Sequence, residues 1–185
     1  LIEEAKSVGI TLFSSPFDSS SVDFLEDLDM PAYKIASFEL VDHPLIARVA
    51  RTGKPVIMST GMGTLDEIKE AVAVLEANGC SDYALLKCTS SYPAPANEAN
   101  LRRIQHMVET FQVPVGLSDH TMGSTVPAIG VGLGACIVEK HFTKSRAVPG
   151  PDSSFSMEPD ELKEMVQAVR IAEQAVGAVT YELTE

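Results

Sequence analysis

The sequence predicts an α/β fold of the (β/α)8 TIM-barrel class, present as about six consecutive βα units that correspond to strands three to eight. Three observations carry this reading. Short apolar, β-branched runs alternate six times with amphipathic stretches, none of the runs is followed by a glycine-rich dinucleotide turn, and polar residues gather just past the runs. Strand-then-helix alternation builds parallel strands joined by right-handed crossovers. An open sheet that binds a dinucleotide needs the glycine turn after its first strand and concentrates function at one switch point. A barrel instead assembles its site from many strand ends at one mouth.

The expected strands are residues 10–13, 32–36, 55–58, 83–88, 113–117 and 136–139, with starts roughly 22 to 30 residues apart. The clearest helix covers residues 64–78, where Leu65, Ile68, Val72 and Leu75 share a face, Thr64 and Glu67 form a capping box, and Gly79 ends the helix. Gly130, Gly132 and Gly134 precede a strand, which suits a helix end that packs closely and turns. The last helix opens with Pro159 in its first turn and buries Leu162, Met165, Val166 and Val169. Polar residues at the strand ends are Ser14 and Ser15, Lys34 and Ser37, Ser59 and Thr60, Lys87 and Thr89, Ser118 and His120, and Glu139 and His141. A closed barrel needs eight strands and about 250 residues. The 185 residues are therefore expected to form one partial barrel domain that begins inside the helix before strand three, with two unpaired strand edges prone to aggregation.

Composition narrows the function. At 45% hydrophobic and 22% charged the chain can bury a sizeable core, and 14 Lys+Arg against 26 Asp+Glu give a net charge of −12. That balance argues against nucleic acid or an anionic membrane as partner, and it requires local positive charge in any site that takes an anion. No apolar run reaches the length of a membrane span, and no signal peptide is visible at the start. Cys80, Cys88 and Cys136 are odd in number and lack CxxC spacing, so they are expected as reduced core thiols of a cytoplasmic protein.

Strand parity singles out a pair of histidines. Side chains alternate faces along a strand, so Ser118 and His120 point one way and Asp119 the other, and Glu139 and His141 share a face. On adjacent strands the two imidazoles would come within reach of one ion, and two His with water suit Mn²⁺, Mg²⁺, Fe²⁺ or Co²⁺ better than a closed zinc site. Two satisfied polar residues near strand ends explain the same pattern. His43 and His106 lie in helical segments and are expected in solvated or capping roles. Lys34 inside a buried strand demands an anion or a carboxylate, either a bound phosphate or an acidic neighbour such as Glu39.

Seven local strings then carry a resemblance. FSSPF at 13–17, PAYKIAS at 31–37, STGM at 59–62, KCTSSYP at 87–93, GLSDHT at 116–121, EKHFT at 139–143 and GPD at 150–152 stand in the order found in the sialic acid synthase family, which the chain resembles over nearly its whole length. The resemblance implies condensation of phosphoenolpyruvate with an open-chain acylated amino sugar, giving a nine-carbon 2-keto sugar acid and releasing phosphate. It implies His120 and His141 as ligands of a divalent metal, Mn²⁺ favoured with Mg²⁺ or Co²⁺ possible. Ser15, Lys34, Ser37, Ser59 and Ser118 would bind phosphoenolpyruvate, while Ser90, Tyr92, Glu39 and Asp152 would face the sugar or a metal-bound water, Glu39 and Asp152 as the catalytic pair. Position 15 is Thr in some relatives, which keeps the hydroxyl, and position 90 is Asn in sialic acid synthases proper, which leaves the sugar open. The stretch from Pro149 to Pro159 and the KCTSSYPAP string resemble the pseudaminic acid synthase branch, while Pro149 before Gly150 is more typical of sialic and legionaminic acid synthases.

The family also carries a Glu on strand one, a phosphate-binding Lys on strand two, and a C-terminal antifreeze-like domain that reaches the partner's site in a homodimer. All three are absent from this sequence, so the chain alone is expected to be inactive. Competing readings are a metal-dependent barrel hydrolase, since two His at strand ends also suit water activation, and a non-catalytic fragment.

Overall fold

The computed structural model describes residues 1–181. Among them five parallel strands, β1 (Tyr33–Ile35), β2 (Val56–Ser59), β3 (Tyr83–Cys88), β4 (Val115–Asp119) and β5 (Val138–Lys140), lie in the order β1-β2-β3-β4-β5. The helices are α1 (Ile2–Val8), α2 (Ser19–Asp27), α3 (His43–Ala50), α4 (Leu65–Ala77), α5 (Arg102–Phe111), α6 (Thr125–Gly132) and α7 (Pro159–Val176). A sequential order without reversal is barrel progression, whereas a doubly wound sheet reverses at its switch point.

One ion pair shows that the sheet curls. Lys34 on β1 and Glu139 on β5 approach to 3.4 Å. Four strand spacings laid flat would separate their backbones by about 19 Å, beyond the reach of both side chains together. The sheet therefore bends into part of a barrel, with two distinct faces. On the outer face Tyr33, Ile35, Met58, Leu85 and Leu117 meet Ile46, Ile68, Leu75 and Ile104 of α3, α4 and α5 in the main apolar core. On the inner face the register aligns Lys34 with Ile57, Leu86 with Gly116, and Cys88 with Ser118. Gly116 is a requirement of this face, because a Cβ there would stand 2.6 Å from both the Ile137 carbonyl oxygen and a Leu86 methyl.

Local signals account for the helices. The capping box of α4 is present, with Thr64 N–H donating to Glu67 at 2.7 Å and Glu67 N–H to the Thr64 hydroxyl at 3.3 Å, and Gly79 follows at φ 90°. Asp18 and Asp42 cap α2 and α3, and Pro159 opens α7. Gly130 lies against Leu117, and Gly134 turns the chain at φ 100°.

Three expectations need correction. Residues 10–13 form no strand: a single bridge from Ser14 to Tyr33 is all that pairs there, and Ile10 is 66% exposed. The run meets β1 only at its end, and one bridge does not make a ladder. On α7 only Met165 of the expected stripe is fully buried, while Val166 is exposed, because a shallow groove between α6 and α7 leaves that face open. Of the cysteines, which are all free, Cys80 and Cys88 are buried and Cys136 is exposed.

Candidate active site

The inner face ends in a cavity of about 300 Å³ at the C-terminal ends of the strands. Among the expected site residues, Ser15, Lys34, Ser37, Ser59, Tyr92, Ser118, His120 and His141 line it. Ser90, Glu39 and Asp152 do not. Ser90 sits just behind the wall, its hydroxyl 3.9 Å from the Cys88 sulfur. Glu39 occupies the short 3-10 turn Ser37–Val41, where one of its carboxylate oxygens is buried without a hydrogen-bond partner. Asp152 lies in the loop after β5 and reaches the site through His141, its Oδ2 3.7 Å from Nδ1.

Strand parity holds at the histidines. Their ring centroids are 5.2 Å apart, and Tyr92 packs 4.2 Å from His120 and 5.7 Å from His141, with Phe155 5.2 Å beyond His141. His120 Nδ1 lies 2.8 Å from the Thr89 carbonyl oxygen. A carbonyl only accepts, so Nδ1 carries the proton and Nε2 keeps its lone pair, the state a metal ligand needs. Burial, and next the charge of His120, hold His141 below its ordinary pKa and keep it neutral. Burial also depresses His120, but the bonds to Cys88 and Thr89 outweigh it and the net shift is upward.

Among the described residues no three His, Cys, Asp or Glu side chains converge closely enough to hold a metal. Two imidazoles are what the described lining residues provide. That donor set fits a divalent ion that keeps water or substrate oxygens in its other positions and does not fit a closed structural zinc site.

The rest of the lining includes Lys34 and several hydroxyls. Ser59 is 2% exposed and its Oγ has no hydrogen-bond partner, an unmet group on the cavity wall. Gly61 N–H donates to the Ser37 hydroxyl at 3.1 Å, while the Ser37 proton is turned to the Cys88 sulfur. A Cβ on Gly61 would stand 2.4 Å from the Ser90 hydroxyl and 2.7 Å from that of Ser37, so the close approach requires glycine. Lys34 does meet a carboxylate here, but it is Glu139 across the barrel and not Glu39 nearby.

Sequence reasoning missed three features. It took Cys88 for a core thiol, yet the sulfur lines the cavity. Burial pushes this thiol up, hydrogen bonds from His120 and Ser37 and the charge of His120 pull it down, and the balance stands at about 7. Counting by twos from Leu86 would have turned Cys88 inward. Glu139 was read only as a polar strand end, with no signal for its partner. Lys87 was grouped with the mouth, but it bonds to the Thr89 hydroxyl outside the cavity lining, and burial lowers its pKa to about 8.

Just behind the histidines, Asp119 and Lys140 form a buried ion pair at 2.6 Å, with side chains 2% and 4% exposed. They are register partners on β4 and β5, each one residue before a cavity histidine. Asp119 also accepts from Thr121 N–H at 3.0 Å and from the Thr121 hydroxyl at 3.1 Å, so its oxygens are satisfied.

A parallel barrel mouth carrying a lysine, a bank of hydroxyls and a pair of imidazoles is a polar cleft at the strand ends, the place where barrel enzymes assemble their active sites. The chain belongs to the NeuB family, which matches residues 1–181. It is 44% identical to the N,N'-diacetyllegionaminic acid synthase of Legionella pneumophila, with 96% of this chain and 51% of the relative aligned. It is equally 44% identical to the pseudaminic acid synthase of Helicobacter pylori, over 96% of this chain and 52% of the relative. Its fold superposes with a TM-score of 0.93 on the N-acetylneuraminic acid synthetase of Leptospira borgpetersenii serovar Hardjo-bovis, solved with citrate, at 34% identity over 98% of this chain and 64% of the other. The chain thus spans about half the length of the curated relatives it matches. Among the described residues no helix is long and apolar enough to cross a membrane.

Proposed function

We propose that this chain forms the phosphoenolpyruvate- and metal-binding walls of a synthase that condenses phosphoenolpyruvate with an open-chain acylated amino sugar and releases phosphate. The observation that carries this is the unpartnered, buried Ser59 hydroxyl beside Lys34 and Ser118, facing the same cavity as the histidine pair. An anion with several oxygens would satisfy Ser59, use the proton of Ser15 and draw that of Ser37 away from Cys88. Lys34 supplies the local positive charge that such an anion needs in a chain of net charge −12.

In this reaction C3 of phosphoenolpyruvate bonds to the aldehyde carbon, water adds at C2, and the phosphate C–O bond breaks. Lys34 and the serines orient the phosphate and balance its charge through that sequence. Tyr92 and Asp152 stand at the mouth, toward the sugar, and the His120–Thr89 bond keeps Nε2 free. A divalent ion held by His120 and His141, Mn²⁺ favoured, supplies Lewis-acid polarisation of the aldehyde when bound.

For the product, the PGPDSSFS segment supports pseudaminate, and the equal identity to the legionaminate enzyme supports a second reading as legionaminate synthase. The test is phosphate release from phosphoenolpyruvate by the complete polypeptide with Mn²⁺, with and without acylated amino sugars, followed by NMR of the product. Release that needs no sugar removes the synthase reading, and the sugar that turns over decides the product.

A further inference from the structure

Within the anion cavity, Glu139 is the one carboxylate among the described lining residues, and it is tied to two of the groups a bound anion would use. Its Oε1 accepts from the Ser118 hydroxyl at 2.6 Å and its Oε2 lies 3.4 Å from Lys34 Nζ. A serine hydroxyl has one proton, so Ser118 cannot donate to Glu139 and to a ligand together. The Lys34 ammonium has three protons, one of them directed at the Ile35 carbonyl at 3.3 Å, but it cannot sit between two anions without their mutual repulsion. The Glu139 side chain is 40% exposed, which leaves it room to swing clear.

We propose that Glu139 is a built-in competitor that sets the charge selectivity of this site. Because the carboxylate is tethered, it holds Lys34 and Ser118 against any monoanion that offers no more than it does. A phosphate dianion, or a phosphate ester with its own carboxylate, brings extra charge and extra oxygens and also satisfies Ser59, which Glu139 does not reach. The site therefore admits multiply charged anions and turns away simple monocarboxylates. This rests on the reading of the cavity as an anion site.

Calorimetric titration of the complete polypeptide without divalent metal tests it, with inorganic phosphate and pyruvate as probes at fixed neutral pH. Glu139→Gln should bind phosphate tighter on the order of tenfold and acquire measurable pyruvate binding. Glu139→Ala should move the same way, which assigns the gain to lost charge and not to a new amide donor. Wild-type phosphate binding with unchanged or weaker binding in both variants overturns the competitor role and leaves the anion site standing. If neither wild type nor variants bind phosphate or phosphoenolpyruvate, the anion-site reading falls and the competitor with it. Tighter phosphate binding without pyruvate binding would confine Glu139 to lowering affinity and overturn the selectivity.

Discussion

Two lysine–carboxylate pairs near the mouth of the barrel differ in nearly every physical respect. Lys140 and Asp119, behind the histidines, meet at 2.6 Å with both side chains almost fully buried and Asp119 further bonded to Thr121. Lys34 and Glu139, inside the cavity, meet at 3.4 Å with Glu139 40% exposed and a single serine bond besides. A buried, fully satisfied pair is closed to ligands and fixes geometry, and removing one partner strands a charge in low dielectric. In the second pair the Lys34 side chain is 10% exposed but Glu139 opens to the cavity, so the carboxylate can exchange for another anion. The closed pair locks the strand ends that present His120 and His141, and the open pair guards the anion site.

The largest expected effect breaks the closed pair. Lys140→Met leaves Asp119 buried and unpaired and should cost about 3 to 5 kcal/mol in urea unfolding. The same experiment on Glu139→Gln should show a smaller loss, because the amide oxygen can still accept from Lys34 beside the open cavity, and equal losses in the two would erase the distinction. Next, His120→Ala should weaken Mn²⁺ binding, followed by electron paramagnetic resonance, by at least the roughly 10 to 100-fold that even residues behind the ligands typically contribute. Undiminished Mn²⁺ affinity would remove the histidine pair from the metal site. Gly61→Ala should weaken phosphate binding several-fold by driving the Ser37 and Ser90 hydroxyls off position, at a stability cost of about 1 kcal/mol, whereas Gly116→Ala meets main chain and should cost up to about 3 kcal/mol. Similar melting temperatures for these two variants would contradict the contact geometry.

The smallest effect concerns the loop that carries Asp152. Arg146 bonds to Glu161 at 2.5 and 2.7 Å and anchors this loop to α7. The guanidinium holds the Glu161 carboxyl down at about 2 from its ordinary 4.5. A depressed carboxylate stabilises the fold above 4.5, and that contribution fades as pH falls from 4.5 toward about 2. Because the pair is partly exposed, Glu161→Gln should lower the melting temperature only slightly at neutral pH, by under about 1 kcal/mol in stability, with no difference from wild type near pH 2. A gap that widens in acid would reverse the assigned sign.

Much of the fold was legible because its determinants are local. Thr64 with Glu67, Gly79 and Pro159 mark helix ends whatever surrounds them, and alternation along β4 and β5 placed Ser118, His120, Glu139 and His141 on one face. The strand at residues 10–13 was not readable in this way, since an apolar run becomes a strand only where neighbours pair with it. The outer stripe of α7 failed for the same reason: periodicity says which face is apolar and not whether anything covers it. Cys88 was read as core although its parity matched Ser118, because a thiol is equally at home in a core and on a cavity wall.

By itself, the sequence determined the α/β class, the succession of parallel units, the inward histidines and serines, and through its motif strings the family to which the chain belongs. These follow from spacing along the chain, where backbone geometry repeats every two or 3.6 residues. Only the tertiary structure decided that Lys34 pairs with Glu139 and not Glu39, that Asp119 closes on Lys140, and that Ser59 is left without a partner. The first depends on how far the sheet curls, which brings β1 and β5 across the bore, the second on the register of the neighbouring strands β4 and β5, and the third on what surrounds Ser59, none of which a local pattern encodes.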